Sequence, residues 1–206
     1  MRKITIPIDD ETIRSLKAGD AVLLSGVMMT GRDAVHKWMI DTFIRKTREP
    51  QGDDLEVYEA IKKILDGGVL YHCGPVVAGV DTGDYKFVAA GPTTSIREEP
   101  YEAEVIKHFN IKGVMGKGGM GPKTLQACQE APAVYFHAVG GAASLIAQSV
   151  QKVLGVYKLE FGVPEAMWVI EVKDFPAIVT MDSHGNSLHE AVEEASAKQF
   201  KALLGV

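Results

Sequence analysis

The stretch Ile111-Lys-Gly-Val-Met-Gly-Lys-Gly-Gly-Met-Gly-Pro122 changes character twice along its length. It opens as a short apolar run, continues as a glycine-rich loop that contains Lys117, and ends at Pro122, a residue type favoured at the first position of a helix. A strand, a loop and a helix start in this order form the unit from which α/β folds are built. The stretch therefore predicts an α/β protein with a lysine in a loop at the end of a strand.

The same alternation continues through the rest of the chain. Further strands are predicted at 21–26, 69–74, 87–91, 134–139 and 168–172. Helical periodicity predicts a helix at 55–65 and a C-terminal helix behind the capping box of Ser187 and Glu190. The run 177–180 precedes the turn sequence Asp-Ser-His-Gly-Asn and favours a hairpin near the C-terminus. We predict a single α/β domain over residues 1–206, with ligand sites at strand ends.

The composition is that of a globular protein with no general affinity for polyanions. Of 206 residues, 46% are apolar and 24% charged, and the formal net charge of −5 offers no attraction to nucleic acid or anionic membranes. The N-terminal segment lacks the apolar core of a signal peptide, and no run of about 18 apolar residues occurs. We therefore expect a cytoplasmic protein in which any anion is attracted locally.

Cysteine and histidine spacing predicts no metal site. Cys73 and Cys128 are isolated, without a C-x-x-C pattern, so we expect buried, unreactive thiols instead of a disulfide framework or a four-ligand metal site. The histidines lack the H-x-H and H-x-x-x-H spacings typical of metal ligands. We expect His72 and His137, which lie inside strand-like runs, to be hydrogen-bonded core residues.

Three loop-to-helix junctions each combine a basic residue with neighbouring glycines or hydroxyl residues. In the first, a T-x-x-D cap over residues 30–33 places Arg32 in the first helical turn. In the second, an S-x-x-E capping box over residues 95–98 surrounds Arg97. In the third, Lys117 lies among glycines ahead of the predicted helix.

Cations in the first turn of a helix oppose the macrodipole, at a cost of about 0.3–1 kcal/mol each. Their repetition indicates that free backbone amides, the dipole and the basic side chain converge on a bound anion. The guanidinium groups of Arg32 and Arg97 suit carboxylates because each can bind two oxygens, whereas Lys117 supplies a compact charge. The alternative is that the two arginines are solvated surface residues, or pair with Asp33, Glu98 or Glu99.

The glycine loop also resembles two nucleotide-binding patterns in part. The Walker pattern fails, because Ile111 stands where it needs its first glycine and Gly118 where it needs Ser or Thr. G-x-G-x-x-G matches at Gly116, Gly118 and Gly121, but the acidic residue expected about 20 residues later is missing. A phosphate- or nucleotide-binding module is therefore a secondary hypothesis.

Thr93 and Thr94 follow Gly91-Pro92 directly after a predicted strand. A hydroxyl in that position can accept or relay a proton if a base lies nearby. It can equally cap a turn, and the spacing does not decide between the two roles.

Taken as a set, these loops resemble one enzyme family. The motifs are S-G-V-M-M-T-G-R-D-A-V-H-K at 25–37, G-P-T-T-S-I-R at 91–97, G-K-G-G-M at 116–120, Y-F-H-A-V-G-G-A-A-S-L at 135–145, and the run from E-F-G-V-P-E-A-M-W to D-S-H-G-N-S-L at 160–188. They closely resemble the C-terminal catalytic domain of iron–sulfur-dependent class I fumarases. In two-subunit enzymes of that family this domain is a separate β subunit, and the β subunit of L(+)-tartrate dehydratase is a sister.

The resemblance implies a swivelling β/β/α-type domain with a mixed sheet and flanking helices. It also implies a hydro-lyase that interconverts fumarate and (S)-malate, arranged as a dimer of αβ pairs, with a [4Fe-4S] cluster held by the partner α subunit. Cys73 and Cys128 agree with this arrangement, because two isolated cysteines cannot supply the three thiolates that such a cluster needs. L(+)-tartrate dehydration is the alternative activity, and a purely structural subunit is a further one.

Matched motif by motif, the resemblance implies a role for each basic loop residue. Arg32 corresponds to a carboxylate clamp and Arg97 to a second carboxylate binder. Thr93 is similar to the residue near the proton-transfer position, and Lys117 to the lysine that completes the anion site. We thus predict Thr93 and Lys117 as catalytic and all four residues as substrate-binding. The two residues before Arg97 stand where the family favours small residues such as Ala-Gly, which leaves the choice of substrate open.

Overall fold

The computed structural model describes residues 1–204, so the last two residues of the predicted domain lie outside the described part. The strands are β1 (Arg2–Ile6), β2 (Ala21–Thr30), β3 (Val69–Tyr71), β4 (Val76–Ala78), β5 (Lys86–Ala89), β6 (Gly113–Gly116), β7 (Val134–His137), β8 (Val150–Tyr157) and β9 (Met167–Met181). The α-helices are α1 (Asp10–Ser15), α2 (Asp33–Met39), α3 (Asp54–Leu65), α4 (Glu102–Phe109), α5 (Pro122–Glu130), α6 (Ala143–Ala147) and α7 (Leu188–Leu204). A π-helical turn, Ile40–Ile44, extends α2, and single 3-10 turns occupy Ser95–Glu98 and Leu159–Phe161.

The main sheet mixes parallel and antiparallel strands. β1, β2, β3, β6 and β7 are parallel, and helices α1 to α5 lie in the connections between them, as parallel neighbours require. The long strand β9 is antiparallel and pairs with both β2 and β7, so the strand pairings return to β2. β8 pairs antiparallel with the first part of β9, while β4 and β5 form a separate hairpin.

Two apolar cores lie on opposite faces of the parallel strands. Val69 and Tyr71 enter the core shared with β9, whereas Leu70 between them enters the core shared with helices α2 to α5. Because both faces are buried, these strands are continuously apolar in sequence. Helices therefore cover one face of the parallel strands in a single mixed sheet, and the predicted α/β class with a mixed sheet and flanking helices is confirmed.

Several elements match the sequence-based prediction and others do not. The helices at 55–65 and behind Ser187 are confirmed, and Glu190 N–H donates to the Ser187 hydroxyl at 3.3 Å. The run at 87–91 contains a strand, but it pairs with β4 outside the main sheet. The strands β1, β4 and β8 were not predicted. None of the described helices is long and apolar enough to cross a membrane.

The predicted hairpin near the C-terminus is wrong. Residues 168–172 and 177–180 belong to one continuous strand, β9, which keeps its pairing with β2 across a local irregularity in register. After Met181 the Asp182 carboxylate accepts hydrogen bonds from the amides of His184 and Asn186, each at 3.0 Å, which closes a turn. A single bridge joins Met181 to Ser187, and the chain then enters α7 instead of a returning strand.

Candidate active site

The loops that hold the predicted site residues lie at one edge of the sheet. Arg32 follows β2, Lys117 follows β6, and the loop from Thr93 to Arg97 is hydrogen-bonded to the ends of β3 and β6. Because β2, β3 and β6 are parallel, their carboxyl ends meet at this edge, the usual position of ligand sites in α/β folds. The structure thus places all four predicted site residues on neighbouring loops.

Thr93 links the ends of two strands through its backbone. Its N–H donates to the His72 carbonyl (N···O 2.8 Å), and its carbonyl accepts from the Lys117 N–H (3.1 Å). The Lys117 carbonyl in turn accepts from the Ser95 N–H at 3.0 Å. Within residues 1–204 the Thr93 hydroxyl has no hydrogen-bond partner, which leaves it available to a ligand.

Arg32 occupies the N-cap position of α2, and its guanidinium packs over glycine. A Cβ at Gly74 would lie 2.4 Å from Arg32 Nη1 and 3.1 Å from its Cδ, so any larger residue there would displace the guanidinium. The Nε atom faces Glu165 Oε1 at 3.2 Å. No described residue accepts a hydrogen bond from the two terminal nitrogens, and these are the atoms with which an arginine binds a carboxylate.

The predicted T-x-x-D cap before α2 is wrong. The Thr30 hydroxyl is buried, donates to the Ala166 carbonyl at 3.3 Å and accepts from the Trp168 amide at 3.0 Å. The start of α2 is capped instead by Glu165, whose Oε2 accepts from the Ala34 amide at 3.1 Å. A carboxylate from the loop before β9 therefore satisfies the helix start and at the same time faces Arg32.

The predicted capping box around Arg97 is also wrong. The segment is one 3-10 turn with no side-chain cap, and both Ser95 and Glu98 are buried and point into the protein. Arg97 itself is exposed and pairs with Asp33. The alternative left open by the sequence, an arginine paired with a nearby acidic residue, holds for this contact, and an exposed pair of this kind contributes only about 0–1 kcal/mol.

The helix start behind Lys117 is occupied by a carboxylate of the protein. Glu99 accepts from the amides of Gly121 (2.7 Å) and Lys123 (2.9 Å) and from the Thr124 hydroxyl (2.7 Å) at the beginning of α5. The free amides predicted there are thus already satisfied. Lys117 is half-buried and forms no ion pair with any residue of the described chain, so its charge remains uncompensated by a neighbouring carboxylate.

Behind the loops lies a buried polar network that sequence reasoning did not find. Glu102 Oε2 contacts His36 Nε2 at 2.8 Å and His72 Nε2 at 3.1 Å. His36 Nδ1 lies 2.9 Å from the Arg32 carbonyl oxygen, and His72 Nδ1 lies 2.9 Å from the Ser95 hydroxyl. Both imidazoles and the Glu102 carboxylate are fully buried. The network therefore connects the Arg32 loop with the loop that carries Thr93 and Arg97.

Charge and burial set the protonation of this network. Burial opposes ionisation of His36, yet the charge of Glu102 raises its pKa to about 9. Burial likewise opposes ionisation of Glu102, but the charge of His36 lowers that pKa to about 2. Burial lowers the pKa of His72 and raises the pKa of Glu98 to about 7. At neutral pH the network thus contains an ion pair between His36 and Glu102 and a neutral His72.

The expectation of hydrogen-bonded core histidines is right for His72 only. His137 is half-buried at the end of β7, and its Nδ1 is a buried atom without a partner in the described chain. Its ring lies 5.8 Å from that of His189, at the start of α7. Burial lowers the pKa of His137, which favours the neutral imidazole. Its position after a parallel strand was a signal that could have indicated a site residue.

The two cysteines are buried and unreactive, as expected. Cys73 and Cys128 belong to different apolar cores, and burial raises the pKa of each thiol to about 12. Neither position offers the exposed thiolate that reacts with or binds metals.

The four predicted site residues lie outside the cavity of about 1070 Å³ between β5, α6 and β8. Arg32 and Lys117 are partly buried and Arg97 is exposed, so the basic groups of this edge differ in their access to solvent.

Comparison with known proteins identifies the family. The sequence profile described as fumarase C-terminus matches residues 2–192. The chain belongs to this family. This fumarase C-terminal chain is 51% identical over 205 residues to a candidate fumarate hydratase class I of Geobacillus stearothermophilus, an alignment that covers 97% of the chain and 37% of the relative.

Two further relatives of the fumarase C-terminal family match over nearly their whole length. A candidate L(+)-tartrate dehydratase subunit beta of Methanocaldococcus jannaschii is 39% identical over 196 residues, with 94% of each protein covered. The L(+)-tartrate dehydratase subunit beta of Escherichia coli is 38% identical over 191 residues, with 91% of this chain and 87% of the relative covered. The chain thus spans 37% of the Geobacillus relative but most of the two named as beta subunits.

Proposed function

We propose that the chain is the β subunit of a hydro-lyase that reversibly hydrates fumarate to (S)-malate. The observation that carries the proposal is the grouping of Arg32, Thr93, Arg97 and Lys117 on neighbouring loops at one sheet edge, in a member of the fumarase C-terminal family. Substrate and reaction are inferred from the family and the chemistry of these groups together.

The basic residues suit a small dicarboxylate. The two terminal nitrogens of Arg32 are free to bind one carboxylate, and Arg97 supplies a second guanidinium on the adjacent loop. Lys117, whose charge has no partner among residues 1–204, is placed to offset the negative charge that develops on the substrate in the transition state. We propose that the Thr93 hydroxyl lies near the carbon that gains or loses the proton.

The residues of this chain do not fit an iron–sulfur cluster. Class I fumarate hydratases depend on such a cluster, which requires several cysteine thiolates. Cys73 and Cys128 are buried in separate cores with strongly raised thiol pKa values, so they cannot act together as ligands. We propose that the [4Fe-4S] cluster is held by a partner α subunit.

Exposed apolar residues around the site support such a partner. Val76, Ile96, Val139 and Leu145 are each at least half exposed. Each lies near a site element in sequence: Val76 comes after Gly74, Ile96 precedes Arg97, and the other two follow β7. Exposed apolar patches beside a polar site are typical of interaction faces, and we propose that these four residues belong to one. We propose that the α subunit covers this edge, in a cytoplasmic dimer of αβ pairs whose β subunit is one catalytic domain.

The sister activity, L(+)-tartrate dehydration, is the second candidate. It is favoured by the two relatives named as tartrate dehydratase beta subunits, which match over most of their length. Ile96 is half exposed beside Arg97. A side chain of this size would change the shape of the substrate pocket, and so the fit of a substrate with an extra hydroxyl. The nucleotide-binding alternative is disfavoured, because Glu99 already fills the helix start behind the glycine loop.

The deciding experiment is an anaerobic assay of the assembled enzyme. The chain is co-expressed with its α subunit, the cluster is reconstituted, and the loss of fumarate absorbance is followed. Hydration of fumarate with little turnover of L(+)-tartrate is the expected result. Turnover of tartrate alone would assign the sister activity, and tight nucleotide binding by calorimetry would favour the nucleotide module.

A further inference from the structure

The buried carboxylate of Glu102 occupies a specific place between the two arginine loops. It is the first residue of α4, and its Oε2 is the shared partner of His36 Nε2 and His72 Nε2. His36 lies on α2, one turn beyond Arg32, and His72 lies directly after β3. Three separate elements thus meet at one carboxylate oxygen.

Hydrogen-bond complementarity assigns the protons in this network. The Arg32 carbonyl can only accept, so His36 Nδ1 carries a proton; its Nε2 must donate as well, because Glu102 is ionised. Tyr135 donates its hydroxyl to Ser95 at 2.8 Å, and Ser95 then donates to His72 Nδ1 at 2.9 Å. The proton of neutral His72 therefore lies on Nε2 and points at Glu102. Each hydrogen bond in the network then has one donor and one acceptor.

We propose that Glu102 is a positioning residue that, through His36 and His72, holds the Arg32 loop and the loop carrying Thr93 and Arg97 in register for one substrate. The inference rests on the proposed hydro-lyase function. His36 fixes the backbone of Arg32, and Ser95 fixes the loop whose Thr93 carbonyl accepts from Lys117. Removing the carboxylate disconnects the two loops without touching any group that contacts substrate.

The packing around Ser95 supports its role as a link between the loop and the buried network. A Cβ at Gly116 would lie 1.9 Å from the Ser95 Oγ and 3.2 Å from the Tyr135 hydroxyl, so the residue before Lys117 must be glycine for the hydroxyl to enter. Because the whole network is buried, water cannot readily replace a lost hydrogen bond. The loss of one partner therefore weakens the positioning of the others.

The alternative is a metal ion among the same groups. Ligand atoms of His36, His72 and Glu102 all lie within 4.8 Å of one another. The hydrogen bonds of His72 argue against it, because its Nδ1 accepts from Ser95 and its Nε2 therefore carries the proton and has no lone pair for a metal.

The first test measures protonation in the full-length chain without reference to activity. Nitrogen-15 spectra of the imidazoles at pH 7.5 should show His36 protonated on both ring nitrogens and His72 protonated on Nε2 only. In Glu102→Gln the second proton of His36 should be lost. Asp54→Asn is the matched control, because Asp54 is also a buried carboxylate at the first position of a helix, and it should leave both imidazole signals unchanged. A neutral His36 in the unmodified chain, or a metal that copurifies stoichiometrically and is lost in Glu102→Gln, would overturn the proposal.

The second test uses the assembled, reconstituted enzyme. Glu102→Gln should raise the KM for the dicarboxylate at least about tenfold with a smaller fall in kcat, because misplaced loops weaken binding of the substrate carboxylates. Asp54→Asn should leave KM unchanged even if it lowers the melting temperature. Equal KM values in Glu102→Gln and Asp54→Asn would contradict the positioning role. If the unmodified complex hydrates neither fumarate nor tartrate, the proposed function fails, while the imidazole spectra still decide whether the network is assigned correctly.

Discussion

Glu165 contacts both Arg32 and the helix that follows it: one carboxylate oxygen lies 3.2 Å from the Arg32 Nε, and the other accepts the Ala34 amide at 3.1 Å. A single side chain thus caps α2 and orients the guanidinium. The hydrogen bond between Ala34 and Glu165 joins residues 131 apart in sequence. A carboxylate from so distant a part of the chain that also contacts Arg32 indicates that the arginine has a role beyond solvation at the surface.

The double contact of Glu165 predicts separable effects on stability and binding. Glu165→Ala removes both contacts, so it should cost about 1 kcal/mol of unfolding free energy and raise the KM for the dicarboxylate about tenfold. Glu165→Gln keeps an oxygen for the cap but loses the charge that faces Arg32, so it should restore most of the stability and little of the KM. Chemical denaturation and steady-state kinetics measure the two effects, and a normal KM in both variants would refute the orienting role.

We predict that glycine is needed at position 74 because the Arg32 guanidinium packs against it. The added methyl group of Gly74→Ala would lie 2.4 Å from Arg32 Nη1 and would push the group out of place. We expect at least about a tenfold loss of kcat/KM with the fold retained. Gly155→Ala is the control, because a Cβ at Gly155 meets no atom within 4 Å. Similar kinetics for the two variants would show that the guanidinium position is unimportant.

Glu99 is predicted to mask an anion site at the start of α5. Glu99→Ala leaves the amides of Gly121 and Lys123 and the Thr124 hydroxyl without their acceptor, so the variant should lose about 1–2 kcal/mol of stability. Added phosphate should then raise its melting temperature more than that of the unmodified chain. Equal responses of the two proteins to phosphate would mean that the start of α5 does not bind anions.

The ion pair of His36 and Glu102 predicts a loss of stability at alkaline pH. The pKa of His36 is raised from 6.5 to about 9 in the folded chain, so its contribution is complete below pH 6.5 and is lost as the pH rises through 9. The groups facing it are Glu102 on α4, Glu98 on the 3-10 turn and His72 after β3. Glu98, whose pKa is raised to about 7, completes its ionisation near pH 8, so among these groups His36 is the one that titrates above pH 8.

Urea denaturation between pH 7 and 9.5 measures this effect. The free energy of unfolding should fall by up to about 1.4 kcal/mol per pH unit. The fall should be clearly smaller in Glu102→Gln, in which the histidine has lost its charge partner. The part that remains near pH 9 comes from the buried Cys73 and Cys128, whose raised pKa values also lower stability there. Equal profiles for the unmodified chain and Glu102→Gln would contradict the ion pair.

Much of the fold follows from local sequence patterns. Val69–Tyr71 and Val134–His137 are recognisable as strands because burial on both faces makes them continuously apolar, and the long helix behind Ser187 carries its own cap. β8 was missed because it lies at the end of the strand order, where it pairs only with β9, and its residues are half exposed.

The sequence indicated the loops of the candidate site but not the residues that support them. The motifs around Arg32, Thr93, Arg97 and Lys117 led to loops that the fold does bring together. The pattern at 95–98 was misread because S-x-x-E has the same spacing whether the side chains cap a helix or turn into a buried network. The true caps, Glu165 and Glu99, come from distant parts of the chain, and no local pattern reveals them.

If the basic loop residues bind and activate a dicarboxylate, replacing Lys117 by alanine in the assembled enzyme should remove most of its activity. We expect kcat/KM for fumarate to fall about 100-fold or more, with the melting temperature and subunit assembly unchanged, because Lys117 makes no ion pair within residues 1–204 that the fold would miss. Lys123→Ala, a nearby exposed lysine on α5, should retain full activity. Equal activity of the Lys117→Ala and Lys123→Ala enzymes would contradict the account.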